Sequence, residues 1–210
     1  MHFLITAGGT REAIDPVRFI SNASSGKMGH ALARAALAAG HRVTLITAPT
    51  HLKPPAGAET IDVVSAADLF EAVKARLDRC DCLIMAAAVS DYTPARPSRT
   101  KLKKTGSRLT LDLKPTRDIL KWAGRRARDG RPILVGFALE DRDVRANALK
   151  KLRGKRLDLI VANGPQAIGA DRSGLLIKDR TGPWIERPAG TKTSHARFLV
   201  RLIESIETHP

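Results

Sequence analysis

Six short apolar runs constrain this chain more than any other feature: HFLIT (2–6), RVTLIT (42–47), TIDVV (60–64), CLIMAAAV (82–89), PILVGFAL (132–139) and LDLIVAN (157–163). Runs of this length, bounded by turn residues, read as strands, and those that are nearly continuously apolar suit a sheet covered on both faces. Between the first two lies KMGHALARAALAAG (27–40), whose Met28, Leu32, Ala35, Ala36 and Ala39 share one helical face and which ends on Gly40. AADLFEAVKARLDR (66–79) and DVRANALKKLRGK (143–155) are further helices between strands. This alternation specifies a mainly parallel sheet with helical crossovers, an α/β Rossmann-like doubly wound core with helices on both faces.

Two regions break the alternation. DYTPARPSRTKLKKTG (91–106) combines prolines and basic residues without apolar periodicity and predicts a mobile loop, followed by a strand over RLTLDL (108–113). GLLIKDRTGPWIERP (174–188) predicts a late β-hairpin before a final helix around HARFLVRLIESI (195–206). With no internal repeat or linker, residues 1–210 are expected to form a single domain. No apolar run approaches the roughly 20 residues that span a bilayer, and the first residues lack a signal-peptide pattern, so a cytoplasmic protein without membrane partners is expected. Cys80 and Cys82, two apart on an extended segment, are expected on one face as a buried thiol pair.

The net charge of +15 admits a nucleic-acid surface, a site for polyanionic small molecules, or a solvated basic exterior. The basic residues cluster at Arg99 to Lys104, Lys121 to Arg131 and Arg142 to Arg156. Aromatics at 4% leave little material for stacking bases.

Ligands of open parallel sheets bind beyond the carboxyl ends of the strands, which directs attention to TAGGTRE, SNASSGKMG, AAAVSDY and GFALED. GGTREA is not G-x-G-x-x-G, and SNASSGKM has Ser21 and Met28 where a P-loop needs glycine and a hydroxyl residue. A hydride-transfer dinucleotide site and a standard P-loop are therefore disfavoured. Ser24, Ser25 and Gly26 either cap the helix that follows or, with Lys27, face an anion through free backbone N–H groups. Asn22 adds a non-titrating amide. Asp91 is either a helix or turn cap or a carboxylate placed for a divalent metal and ribose. Lys101 to Lys104 is either a solvated loop or a flap that closes over phosphates.

Together, ITAGGTREAIDPVRFISNASSGKMG, AAAVSDY, KLKK, GFALE and LDLIVAN closely resemble the phosphopantothenate–cysteine ligase family of coenzyme A biosynthesis, in order and spacing over nearly the whole chain. The resemblance implies activation of the carboxylate of 4′-phosphopantothenate by CTP with Mg²⁺, giving an acyl-cytidylate and pyrophosphate, then attack by the amine of L-cysteine with release of CMP. It implies that Asn22 serves the acyl-cytidylate and that Lys101 belongs to a flap over the nucleotide. Asp91, Ala86, Ala87, the segment Arg117 to Leu120 including Asp118, Ile119 and Leu120, Phe137, Lys151 and Lys155 would then line the nucleotide pocket. Lys151 and Lys155, four apart, would grip one phosphate chain from one helical face. Asp91 would help hold Mg²⁺, which the triphosphate mostly ligates. The resemblance further implies a homodimer, with RLTLDL and the late hairpin as pairing strands. Many bacterial members carry an N-terminal flavin-dependent decarboxylase, and this chain starts at the synthetase part; the expectation is therefore no FMN and a possible separate decarboxylase partner. Two other readings remain: a basic nucleic-acid-binding protein, and a non-catalytic nucleotide-binding paralogue.

Overall fold

The computed structural model describes residues 1–106, 108–127 and 131–207. In chain order the elements are β1 (His2–Ala7), β2 (Arg11–Ala13), β3 (Phe19–Ser21), α1 (Lys27–Ala38), β4 (Arg42–Thr47), β5 (Glu59–Asp62), α2 (Ala66–Lys74), β6 (Cys82–Met85), β7 (Tyr92–Pro94), β8 (Leu113–Pro115), α3 (Ile119–Arg126), β9 (Ile133–Leu139), α4 (Val144–Gly154), β10 (Leu159–Asn163), β11 (Arg172–Asp179), β12 (Ile185–Thr191) and α5 (Lys192–Glu207). An eight-stranded sheet runs β12-β11-β10-β9-β6-β1-β4-β5. The first two of these strands pair antiparallel and the other six are parallel. Numbered among themselves in chain order, the six parallel strands lie 3-2-1-4-5-6, the Rossmann arrangement. The direction of winding reverses at β1, between β4 and β6.

Side-chain alternation along the strands sorts the core into two layers. Phe3 and Ile5 pack with α1 and α5 residues such as Leu32, Ala36, Leu199 and Ile203, whereas Leu4 and Ile46 pack with Leu69, Ala123 and Leu152 from α2, α3 and α4. The small side chains of α1 bring it close to the sheet, and its alanine-rich face meets α5. Ser65 and Asp68 form a reciprocal capping box at the start of α2, so its orphan amides are satisfied locally.

Several expectations are corrected. RLTLDL is not a strand over its length: only Leu113 joins β8, which pairs with β7 in a separate two-stranded sheet. Its alternating leucines 109, 111 and 113 are exposed, so no covered face holds the segment extended against a core. β6 stops at Met85, where AAAV turns into the site loop, and the second predicted helix breaks after Lys74 into a short 3₁₀ turn at Leu77–Arg79. Cys80 and Cys82 do not share a face. Cys80 lies between that turn and the strand, packs in the α2 layer and donates its thiol to the Leu77 carbonyl, while Cys82 packs in the α1 layer. Burial raises the Cys80 thiol to about 12, leaving it protonated and inert. The hairpin β2–β3 has no counterpart in the sequence pattern; it interrupts the link between β1 and α1. Part of the predicted basic cluster at Lys121 to Arg131, residues 128–130, lies outside the described residues.

Three glycines set the distance between β1 and α1. Gly8, at φ 82°, turns against the Ala48 carbonyl, where a Cβ would come within 2.6 Å. Gly26, at φ 74°, begins the helix beside the Gly8 backbone, and a Cβ on Gly29 would lie 2.6 Å from the Ala7 Cβ and 2.8 Å from the Thr6 carbonyl oxygen. A tight turn, a close backbone approach and close helix–strand packing are the roles of the three glycines of a dinucleotide-binding fingerprint. Here the β2–β3 hairpin separates the first from the other two, so the linear motif is absent while its geometry is kept. Gly29→Ala is expected to destabilise the domain by about 1–3 kcal/mol through overpacking, measured by urea denaturation; an unchanged midpoint would show that the helix can move away from the strand at little cost.

Candidate active site

The carboxyl ends of β1 and β6 are joined into one platform. Beyond Ala7, the Ala88 amide donates to the Gly8 carbonyl at 2.8 Å and the Thr10 amide to the Ala88 carbonyl at 3.2 Å. The Ala87 amide donates to Thr6 Oγ1 and the Ser90 amide to Thr10 Oγ1. Above this platform lies a cleft of about 530 Å³, within the usual range for small-molecule sites. It is walled by the segment from Asn22 to Met28, the β6 loop, the start of α3, the ends of β9 and β10, and Lys192 at the start of α5.

Most of the predicted site residues converge here: Asn22, Ser24, Ser25, Gly26, Lys27, Ala86, Ala87, Asp91, Asp118, Ile119, Leu120, Phe137, Lys151 and Lys155 line the one cleft. Asn22 is pinned by donating Nδ2 to the Ala88 carbonyl at 3.1 Å, which leaves its Oδ1 without a hydrogen-bond partner among the described residues. The serines do not cap α1. Its N-cap is Gly26, which has no side chain to offer, and the Ser24 and Ser25 hydroxyls accept only long contacts of 3.4 and 3.5 Å from the Gly26 and Lys27 amides. The start of α1 therefore keeps amide donors and the positive end of its dipole available for an anion. His30, in the first turn, is buried and donates its Nδ1–H to the Gly26 carbonyl at 3.2 Å; burial lowers its pKa, which keeps the ring neutral at pH 7.

On the opposite wall, Asp118 caps α3 by accepting from the Lys121 amide at 2.9 Å and pairs with Lys155 at 3.1 Å. Lys151 pairs with Glu140 at 2.6 Å. Lys155 is the C-cap of α4, which ends at Gly154; its amide still donates to the Lys151 carbonyl at 3.0 Å, and both lysines line the cleft. Ile119 and Leu120 are core residues that present only an edge to the cleft. Arg117 stacks over Phe70, 4.3 Å from the ring centroid. Lys101 is the exception: it is exposed and does not line the cleft. Asp91 is exposed, and its carbonyl accepts from the Thr116 amide.

The segment holding Lys101 is tethered by its neighbour. Asp15, whose side chain is fully enclosed, accepts from the Val17, Arg18 and Leu102 amides, and Arg18 closes the clamp by donating to Asp15 and to the Leu102 carbonyl. The Arg18 guanidinium and these amides hold the Asp15 carboxyl well below the usual carboxylate range.

Sequence reasoning missed Lys192, Asp171 and Asn163. Lys192 and Asn163 line the cleft, and Asp171 pairs with Lys27 at 2.6 Å. The Lys27 hydrogen bond and charge hold the Asp171 carboxyl below its ordinary value, while burial first and then the Lys27 charge lower the Lys192 ammonium. No local pattern distinguishes Lys192 from a surface lysine; only the return of α5 onto α1 brings it to the site. Elsewhere much of the basic surface resolves into local ion pairs, as in Arg126–Asp78, Arg76–Glu59 and Arg180–Asp158.

A Rossmann-type sheet with a lysine-lined cleft at its switch point and uncapped helical amides in that cleft is an α/β arrangement whose chemistry suits a small anionic ligand. Residues 1–206 match the model of the DNA/pantothenate metabolism flavoprotein C-terminal domain, and the chain belongs to that family. It is 54% identical over 170 residues to the coenzyme A biosynthesis bifunctional protein CoaBC of Bacillus subtilis (strain 168), covering 80% of this chain and 41% of that one. Against the protein of the same name from Mycolicibacterium smegmatis it is 39% identical over 218 residues, covering 97% and 51%. The chain thus spans about half the length of these relatives or less. Among solved structures, the C-terminal domain of a CoaBC protein superposes with a TM-score of 0.86 at 39% identity, covering 100% of this chain and 96% of that one. The Streptococcus pneumoniae DNA/pantothenate metabolism flavoprotein gives 0.83 at 28%, covering 98% and 99%.

Asp15→Asn is expected to free the Lys101 segment, read as faster tryptic cleavage at Lys101, Lys103 and Lys104 with little change elsewhere. Because the folded-state pKa of Asp15 is depressed, its stabilisation is fully present above the unfolded carboxylate value of about 4 and is lost as pH falls below it. Acid titration of the wild type should show that loss and the Asp15→Asn variant should lack it; parallel acid curves would mean that the clamp contributes nothing.

Proposed function

We propose that this domain joins 4′-phosphopantothenate to L-cysteine in coenzyme A biosynthesis, as a CTP- and Mg²⁺-dependent ligase. The observation that carries the reading is that one cleft gathers Asn22 and the uncapped start of α1 with Ala86, Ala87, Phe137, Lys151 and Lys155. Those are the residues that the family resemblance assigns to the acyl group and to the nucleotide. The names of the relatives place them in coenzyme A biosynthesis, which supports the same pathway for this chain.

In this reading a carboxylate oxygen of phosphopantothenate attacks the α-phosphorus of CTP, the bond to the β-phosphate oxygen breaks and pyrophosphate leaves. The cysteine amine then attacks the acyl carbon, the bond to the CMP oxygen breaks, and the nitrogen gives up its proton as the amide forms. The α1 amides and the cleft lysines stabilise charge developing on the phosphates. Asn22, held at Nδ2 by Ala88, presents a carbonyl oxygen that cannot titrate, which orients the acyl-nucleotide without adding negative charge. Lys101 would reach the leaving pyrophosphate only after its loop closes over the cleft. Among the described residues no cluster of three or more His, Cys, Asp or Glu could cage a metal. That donor set fits Mg²⁺, which keeps phosphate and water ligands and takes one or two carboxylates; Asp91 would hold it, and the ion would supply charge neutralisation on the triphosphate.

The active form in this reading is a homodimer. Val17, Phe19, Tyr92, Leu111 and Leu113 are large apolar residues exposed on or beside the adjoining β2–β3 and β7–β8 hairpins, and a second copy would cover them. The late hairpin β11–β12 ends the main sheet at its other flank. The double variant Phe19→Asp, Leu113→Asp is expected to sediment as a monomer; a dimer in that variant would exclude this face.

Purified protein incubated with phosphopantothenate, cysteine, Mg²⁺ and CTP is expected to release CMP and form phosphopantothenoylcysteine, detected by mass, with ATP a poorer donor. Absence of mononucleotide with either triphosphate would overturn the reading. Asn22→Asp is expected to leave acyl-nucleotide undischarged, because a carboxylate beside the Ala88 carbonyl repels it and displaces the acyl group. Lys101→Gln should slow nucleotide activation by about 10²-fold or more; wild-type rates in both would refute these roles.

A further inference from the structure

Four lysines reach the cleft, and their partners differ. Lys27 pairs with Asp171, Lys151 with Glu140 and Lys155 with Asp118. Lys192 has only neutral acceptors: Nζ donates to Ser173 Oγ at 3.0 Å and to the Ala167 carbonyl at 3.4 Å. Among the described residues no carboxylate lies within ion-pair distance of it, although it is half-buried. A cation withdrawn from water and held by neutral dipoles beside a second cation is electrostatically short of negative charge.

Asp171 is the nearby source of that charge, and it is poorly placed to serve. Its side chain is 85% exposed, it spends its hydrogen bond on Lys27, and it acts on Lys192 only through space. Both ammonium groups line the same cleft, where Lys27, the first residue of α1, holds the exposed carboxylate beside the open amides of that helix. A ligand with several anionic oxygens can bridge both ammoniums and accept from those amides, which one carboxylate cannot do.

We propose that Lys192 and Lys27 form a two-ammonium subsite for a phosphate chain on the α1–α5 wall of the cleft, with Asp171 as the internal counter-ion that the phosphate displaces. Lys192 is in this sense a binding residue contributed by the far end of the chain, facing the Lys151–Lys155 pair across the same cleft. The subsite deepens the ligase reading by naming where the polyphosphate of the nucleotide sits, and it rests on that reading only for the identity of the phosphate's owner.

The test uses inorganic tripolyphosphate as the probe, titrated calorimetrically into the whole protein and into Lys192→Gln, Lys192→Arg and Asp171→Asn. Lys192→Gln is expected to bind about tenfold or more weakly, the loss of a charge-assisted bond, with Lys192→Arg recovering most of it. Asp171→Asn is expected to bind about twofold to fivefold more tightly, because the competing carboxylate is gone. A purely structural Lys192 would not produce changes of opposite sign at the two positions. Unchanged affinity in Lys192→Gln, or weaker binding in Asp171→Asn, overturns the proposal. Should Lys192→Gln fail to fold, the exposed Asp171→Asn variant decides alone. The pattern without any phosphopantothenoylcysteine formation would leave the subsite standing and remove the ligase reading; product formation with CTP KM unaffected by Lys192→Gln would do the reverse.

Discussion

The site depends on how closely two backbones approach. Where β1 gives way to α1, Gly8, Gly26 and Gly29 let the helix start against the strand end, with Gly29 directly over Ala7. A methyl group at any of the three would meet backbone or Cβ atoms at 2.6 to 3.3 Å. That contact aims the amides of α1 at the switch point between β1 and β6, and the cleft opens there because neighbouring crossovers leave in opposite directions. The β2–β3 hairpin exploits the same arrangement. Inserted between the first glycine and the other two, it carries Asn22 to the Ala88 carbonyl and anchors the Lys101 loop through Asp15.

For Lys27, Lys151 and Lys155, though not for Lys192, charge in the cleft is balanced pair by pair. Lys151 and Lys155 are steadied by Glu140 and Asp118, and Asp118 also caps α3, so the helix start and the lysine are positioned by one carboxylate. Such pairs keep an empty cleft from accumulating repulsion, and an incoming phosphate would compete with the carboxylates for the cations. The net charge of +15 accordingly overstates the positive charge that the cleft lysines leave without a carboxylate.

The sequence made the parallel sheet legible because buried strands such as CLIM and LIVAN are apolar on both faces, and because α1 has a periodic alanine face ending at a left-handed glycine. It made most of the cleft legible because strand ends and the segments after them are contiguous in sequence. What escaped depended on tertiary context. RLTLDL has a strand's alternation and no face to bury, so the pattern alone could not hold it extended. Cys80 and Cys82 obey strand parity only if both lie in the strand, and it begins at Cys82. A Gly8…Gly26-x-x-Gly29 fingerprint interrupted by a hairpin has no fixed spacing to search for. Lys192 is far from Lys27 in sequence and belongs to the cleft only through packing of α5.

That packing has a kinetic consequence. The wall of the cleft carrying Lys192 is set by α5 lying on α1, a contact that also brings His41 to Glu204 across 163 residues of chain. Contacts of such separation are of the non-local kind that slows folding, because loop-closure entropy is paid before they reward it. Until they form, the α1 layer of the core, including Phe3 and Leu32, lacks its Leu199 and Ile203 partners. If the cleft takes a phosphate as proposed, the wall that would hold it and the α1 layer of the core are completed by the same α5–α1 contact, so a chain lacking that contact would lack both.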